Sequence, residues 1–182
     1  MKLKEYIKAV KTLCVELHAE DMDSYETSAL DNKIILAANM GARDLASNTY
    51  PLIKSAKMDG PVEWVPPEDF LSLQNYEGGC AERFYNAEGK ECLSLKEAGP
   101  YCITYRYLPK TVKGPEDTFE FPEHVMNALI YYGAYHVLSS DNDKRGFVYF
   151  KNLYDQACVN ILANRPSKLT VVRAKRGGMR VL

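Results

Sequence analysis

The chain has 182 residues, of which 46% are hydrophobic and 26% charged, with a formal net charge of −1. That length suits one domain, or one domain carrying a sizeable insertion, and it can bury a core without a metal or disulfide staple. The composition excludes wholesale disorder, and no apolar run approaches the ~20 residues that span a bilayer.

The N-terminus is polar from Lys2 onward and holds no signal-peptide core, so a reducing, cytosol-like setting is expected. Charge is unevenly spread. Residues 1–60 are near neutral, residues 61–120 carry 6 bases against 11 acids, and residues 121–182 carry 9 against 4. The final stretch holds six bases (Arg165, Lys168, Arg173, Lys175, Arg176, Arg180) and no acid. Such polarity fits binding to nucleic acid, or association of copies through surfaces of opposite sign.

The first element reads as a helix, with Tyr6, Val10, Leu13, Cys14 and Leu17 at helical spacing. A polar run from Glu20 to Glu26 ends it. A second helix is expected from Asp31, as its cap, through Ile34, Ile35, Ala38 and Leu45. The small residues Ala37, Ala38, Gly41, Ala42 and Ala46 predict close packing on a neighbour, and Pro51 breaks the pattern.

Residues 61–114 change character, with prolines and glycines punctuating short runs of β-formers. Residues 82–85 and 91–95 flank a polar, Gly-bearing hairpin loop at 86–90. A second turn is expected at 97–100. It leads into a strand with Tyr101, Ile103, Tyr105 and Tyr107 on one face and Cys102, Thr104 and Arg106 on the other.

Helical character then returns. Residues 118–123 form a helix start, with Pro122 near the first turn and acids at its positive end. Residues 125–138 are apolar around most of the circumference, as in the central helix of a bundle. After a break at 139–142, a last helix carries Phe147, Phe150, Tyr154, Cys158 and Ile161 on one stripe and ends before Pro166. The fold class expected is therefore mainly α: a helical bundle (1–60 and 115–164), an inserted small antiparallel β-sheet (61–114), and an extended basic arm (165–182). The arm, with Leu169, Val171, Val172, Arg173, Lys175, Arg176, Met179, Arg180, Val181 and Leu182, is expected to become ordered on another chain, for instance by adding a strand to a sheet edge.

No motif of nucleotide, dinucleotide, nucleophile-elbow or zinc-protease type occurs, and no cofactor is implied. Cys14, Cys80, Cys92, Cys102 and Cys158 lack zinc-ligand spacing and read as small buried hydrophobes. His18, His124 and His136 lack metal-pair spacing. Glu116 with Asp117, or Asp141 with Asp143, would make a carboxylate pair, though loop caps explain them at less cost. Gly177-Gly178 alone is a very weak phosphate-loop signal. Thirteen tyrosines stand beside a single Trp64. Tyr101, Tyr105, Tyr107, Tyr131 and Tyr135 are candidates for a subunit interface or for core packing, since tyrosine buries a ring while its hydroxyl finds a partner.

Three stretches carry a resemblance. They are 65–73, with Val65-Pro66-Pro67 at its head; 99–109, followed by Phe119-Glu120-Phe121-Pro122; and the helix pair spanning 128–135 and 151–154. In element order and residue character they resemble the head–tail connector (adaptor) proteins of tailed bacteriophages, over about half the chain. The resemblance implies a structural virion protein at the head–tail junction, assembled in the bacterial host cytoplasm. It implies a homo-oligomeric ring, usually of twelve copies, between the portal protein and a stopper or tail-completion protein. DNA would pass through the channel without sequence-specific contact, and no catalytic residue carries over. The helices would pack on neighbouring subunits and the arm would dock on the portal. An acidic insertion and a basic tail suit head-to-tail closure of a ring. Two other readings stay open. A nucleic-acid-binding protein would use the basic C-terminal third and show steep salt dependence. A small enzyme would show a cleft between insertion and bundle holding a strongly perturbed carboxylate or histidine.

Overall fold

The computed structural model describes residues 1–17, 27–139 and 144–164. The expected breaks at 20–26 and 140–142 and the whole arm, 165–182, lie outside the described residues, as do His18, Asp141, Asp143, Gly177 and Gly178. Four helices and four strands follow in the order α1 (Leu3–Leu17), α2 (Thr27–Asp44), β1 (Leu52–Trp64), β2 (Phe70–Glu77), β3 (Ala81–Tyr85), β4 (Glu91–Tyr107), α3 (Glu123–Ser139) and α4 (Lys144–Ala163). This is a mixed α and β fold, which corrects the expectation of a mainly α chain.

The correction has two sources. The strand β1 takes in residues 52–60, which the sequence left with the N-terminal helices, because Pro51 stops helix and the chain re-enters as sheet. Charged Lys54, Lys57 and Asp59 disguise it as a non-strand. In β4, the expected turn at 97–100 is instead part of one strand of 17 residues. Between the pairs Gly60↔Gly99 and Val62↔Leu95, β1 supplies Pro61 alone while β4 supplies Lys96, Glu97 and Ala98. The extra residues form a bulge, and Gly99 sits in it at a φ of 144° that side chains rarely tolerate.

All pairings are antiparallel. β4 is central, with β1 along one side and β2 and β3 sharing the other. Trp64 pairs with Leu93, twelve residues along β4 from Tyr105, which would be about 40 Å in a straight strand. Yet the Trp64 and Tyr105 rings are 5.8 Å apart, and Trp64 and Phe70 are 5.7 Å apart. The sheet therefore folds back on itself at the bulge. Leu93, Leu95, Tyr101, Ile103 and Tyr105 are buried within that fold.

Among the helices, α3 is central and packs on α1, α2 and α4, as its all-round apolar character predicts. Ala37, Ala38, Gly41, Ala42 and Ala46 are buried, and a side chain at Gly41 would collide with Tyr132 and Leu129 of α3. The start of α2 lies at Thr27, so Asp31 is not its cap; it is ion-paired with Lys11 of α1 at 2.5 Å. Phe150, Tyr154 and Ile161 are buried on one stripe of α4, with Phe147 and Cys158 half-buried beside them.

Three ties fix the sheet and its return segment to the helices. A five-residue π-helical turn, Leu45–Thr49, ends α2. Arg106 of β4 donates to the carbonyls of Ala46 and Ser47 in that turn, satisfying groups that a helix end leaves orphaned. Asn39 brackets Val112, donating to its carbonyl and accepting its amide, each at 2.9 Å. The first amides of α1, Leu3 and Lys4, donate to the carbonyls of Asp117 and Pro115.

Candidate functional site

Several titratable groups outside the core are engaged in structure. Glu116 accepts Lys2 and Lys4, which hold its carboxyl below the usual range. Asp117 caps the amides of Lys113 and Gly114, with the same effect on its own carboxyl. His124 is exposed and meets the Tyr50 ring edge-on at 5.8 Å. His136 stacks beside Tyr135, 4.7 Å between centroids, and burial favours its neutral form. Cys14 and Cys92 are buried, Cys102 and Cys158 half-buried, and Cys80 exposed, and none of the five is in a disulfide. Among the described residues, no three His, Cys, Asp or Glu side chains gather as a metal site. No described helix is long and apolar enough to cross a membrane.

The tyrosine candidates divide. Tyr101, Tyr105 and Tyr107 are 2, 7 and 9% exposed and pack largely into the chain's own core, with Tyr107 also forming part of a surface hollow. The Tyr101 hydroxyl donates to the Cys80 carbonyl at 3.0 Å and accepts the Glu97 amide. Alternation along β4 places all three correctly on one face, but nothing in one strand's pattern says that the sheet curls over that face. Tyr131 and Tyr135 are half-buried in the α3–α4 seam, Tyr131 against Phe150 and Tyr135 against Phe147. Beside them Tyr154 donates a short hydrogen bond to Asp44, joining α4 to the end of α2.

What remains exposed is unevenly distributed. The curled sheet carries exposed Glu63, Glu68, Glu77, Glu82, Glu88 and Glu97. Of its cations, Lys54, Arg83, Lys90 and Lys96 are paired with Asp69, Glu91, Glu88 and Glu82, and Lys57 is exposed on β1. Two small apolar patches lie on the helices. Leu36 and Met40 are one turn apart on α2, and Val159 and Leu162 are neighbours near the end of α4, with exposed Val148 three turns earlier beyond Asn152 and the Lys151–Asp155 ion pair. Sequence reading missed both, because each was hidden beside a stronger apolar face that forms the core.

A hollow of about 580 Å3 lies where the sheet meets the helices. Two similar segments line it, Tyr50-Pro51-Leu52-Ile53 and Phe119-Glu120-Phe121-Pro122, with Tyr107 between them. Each segment is an aromatic–proline boundary where one element stops and another begins, a signal that sequence reading used for boundaries alone. The sole carboxylate of the lining, Glu120, is exposed and accepts the Lys110 amide at 3.2 Å. A second groove of about 360 Å3 runs between α3 and α4, over Tyr131, Leu153 and Ile161. His124 and the amides Asn127, Gln156, Asn160 and Asn164 line its sides. Apolar and aromatic side chains make up much of both linings, with Glu120 in the first and His124 and four amides in the second.

No protein-family model matches the chain, and no match to it is found among curated proteins.

Proposed function

We propose that this chain is a structural subunit of a head–tail connector ring, lying between the portal and the tail or neck of a phage particle. The observation that carries the reading is the pair of unlike exposed apolar patches, Leu36–Met40 on α2 and Val159–Leu162 on α4. A surface that meets a different surface on the next copy associates head to tail, and closes a ring when the rotation per copy allows. The acidic sheet and the six-cation terminal segment add a second complementary pair. The helices and the sheet-borne hollow supply contact surface, while Glu116, Asp117, Asp31 and Asp69 are held in caps or ion pairs and His124 and His136 in ring contacts.

In this reading the arm, Leu169 to Leu182, is completed by the portal, and the ring's tail side meets a stopper or tail-completion protein. Deleting residues 167–182 is expected to abolish attachment to a portal ring while leaving the circular dichroism and melting of the protein unchanged. Attachment that survives the deletion refutes the role given to the arm. Binding of isolated subunits to DNA with a steep salt slope would favour the nucleic-acid reading instead.

A further inference from the structure

The sheet ends in two unlike edges, and neither has a partner strand among the described residues. On one side of β4, β1 pairs with β4 alone, and on the other side so does β2. From other described segments, no backbone hydrogen bond reaches the outer edge of β1 between Leu52 and Gly60, or that of β2 between Leu71 and Glu77. Open edges of this kind are templates for a further strand.

Three rows of side chains cross the outer face of this layer: Ile53–Arg106–Ser72, Ser55–Thr104–Asn75 and Lys57–Cys102–Glu77. The hydroxyls of Ser55 and Thr104, 3.2 Å apart, mark the shared face. The third row ends in an exposed cation on the β1 edge and an exposed carboxylate on the β2 edge. Two strand spacings, about 10 Å, separate them across Cys102, and neither is ion-paired among the described residues.

Both β1 and β2 run antiparallel to β4, so they run parallel to each other. Repeating the sheet sideways therefore sets β1 of one copy beside β2 of the next in the parallel sense. Continuing the rows brings Lys57 against Glu77 of the next copy and Ser55 against its Asn75. A slip of two residues one way sets Asp59 beside Glu77, a like-charge contact; the other way leaves Lys57 opposite Gly79. The bulges of β2 lie before Asn75, so the stretch Asn75–Glu77 is regular. An antiparallel β1–β1 pair centred on Met58 would also match Lys57 with Asp59. That pair is cut short by Pro61, which has no amide hydrogen to give.

We propose that the two open edges join neighbouring copies, Ser55–Lys57 of one lying parallel to Asn75–Glu77 of the next, with the Lys57–Glu77 ion pair fixing the register. The inference rests on the connector reading for its head-to-tail repeat, to which it adds a contact through the sheet.

Carbodiimide cross-linking of an equal mixture of unlabelled and 15N-labelled protein, read by mass spectrometry, tests it. A Lys57–Glu77 cross-link of mixed isotope composition is expected. Lys57→Glu and Glu77→Lys are each expected to weaken self-association about tenfold or more, with melting unchanged, and combining them in one chain should restore it. A cross-link confined to single-isotope pairs, full self-association of either single variant, or rescue of Lys57→Glu by Asp59→Lys in place of Glu77→Lys would each overturn the proposal. Rings that bind a portal yet give no mixed cross-link would overturn this inference and leave the connector reading standing. Mixed cross-links in assemblies that never close or bind a portal would do the reverse, and a chain that stays monomeric would overturn both.

Discussion

At Gly133 the missing side chain decides how closely α1 approaches α3, since a Cβ there would collide with the Tyr6 hydroxyl and with Val10. Tyr6 uses that space to donate to the Leu129 carbonyl at 3.0 Å. Gly133→Ala is expected to cost about 1–3 kcal/mol through overpacking, measured by urea denaturation. Burial also pushes the Tyr6 phenol well above its ordinary range. A group whose folded state keeps its proton longer than the unfolded chain loses stabilising effect as pH rises past about 10. Stability is therefore expected to fall above that pH. Tyr6→Phe should be about 1 kcal/mol less stable at neutral pH, from the lost hydrogen bond, yet decline less steeply in alkali. Equal alkaline slopes in the two proteins would contradict the buried-phenol account.

Among the elements, the tie between sheet and helices is concentrated in Arg106, whose guanidinium holds two carbonyls at the π-helical end of α2. Arg106→Ala is expected to cost about 1.5–3 kcal/mol and to speed amide exchange in 45–50 more than in α3. Uniform acceleration across the helices would mean that the contact does not act as a local tie. The element scale also shows what the sequence could and could not convey. Strict alternation from Tyr101 to Tyr107 identified a strand and its inner face, and the stripe Phe147, Phe150, Tyr154, Cys158, Ile161 identified the core side of α4. The Gly99-Pro100 pair looked like a turn because those residues usually make one, but a long strand used them for a bulge. Asp31 looked like a helix cap by residue type, whereas its partner is Lys11 on another helix, a contact that local pattern does not reveal. The hollow joins segments about seventy positions apart in the chain, so only the return path of residues 108–122 over the helices brings it into being.

For the whole molecule, the two exposed apolar patches make a distinguishing prediction about assembly. Leu36 and Val159 are 62 and 63% exposed, so Leu36→Asp and Val159→Asp should each leave monomer stability within about 0.5 kcal/mol. Each substitution is expected to abolish self-association by spoiling one of two unlike surfaces. Mixed together, the two variants retain one intact surface each and should form dimers that grow no further, as analytical ultracentrifugation would report. Larger assemblies in the mixture would contradict a head-to-tail contact through these patches. The most direct measurement of the central claim is native mass spectrometry of the protein, alone over a range of concentration and mixed with a portal ring. A closed oligomer that adds to the portal as a complete ring is the result expected. A chain that stays monomeric throughout and leaves the portal mass unchanged would contradict the account.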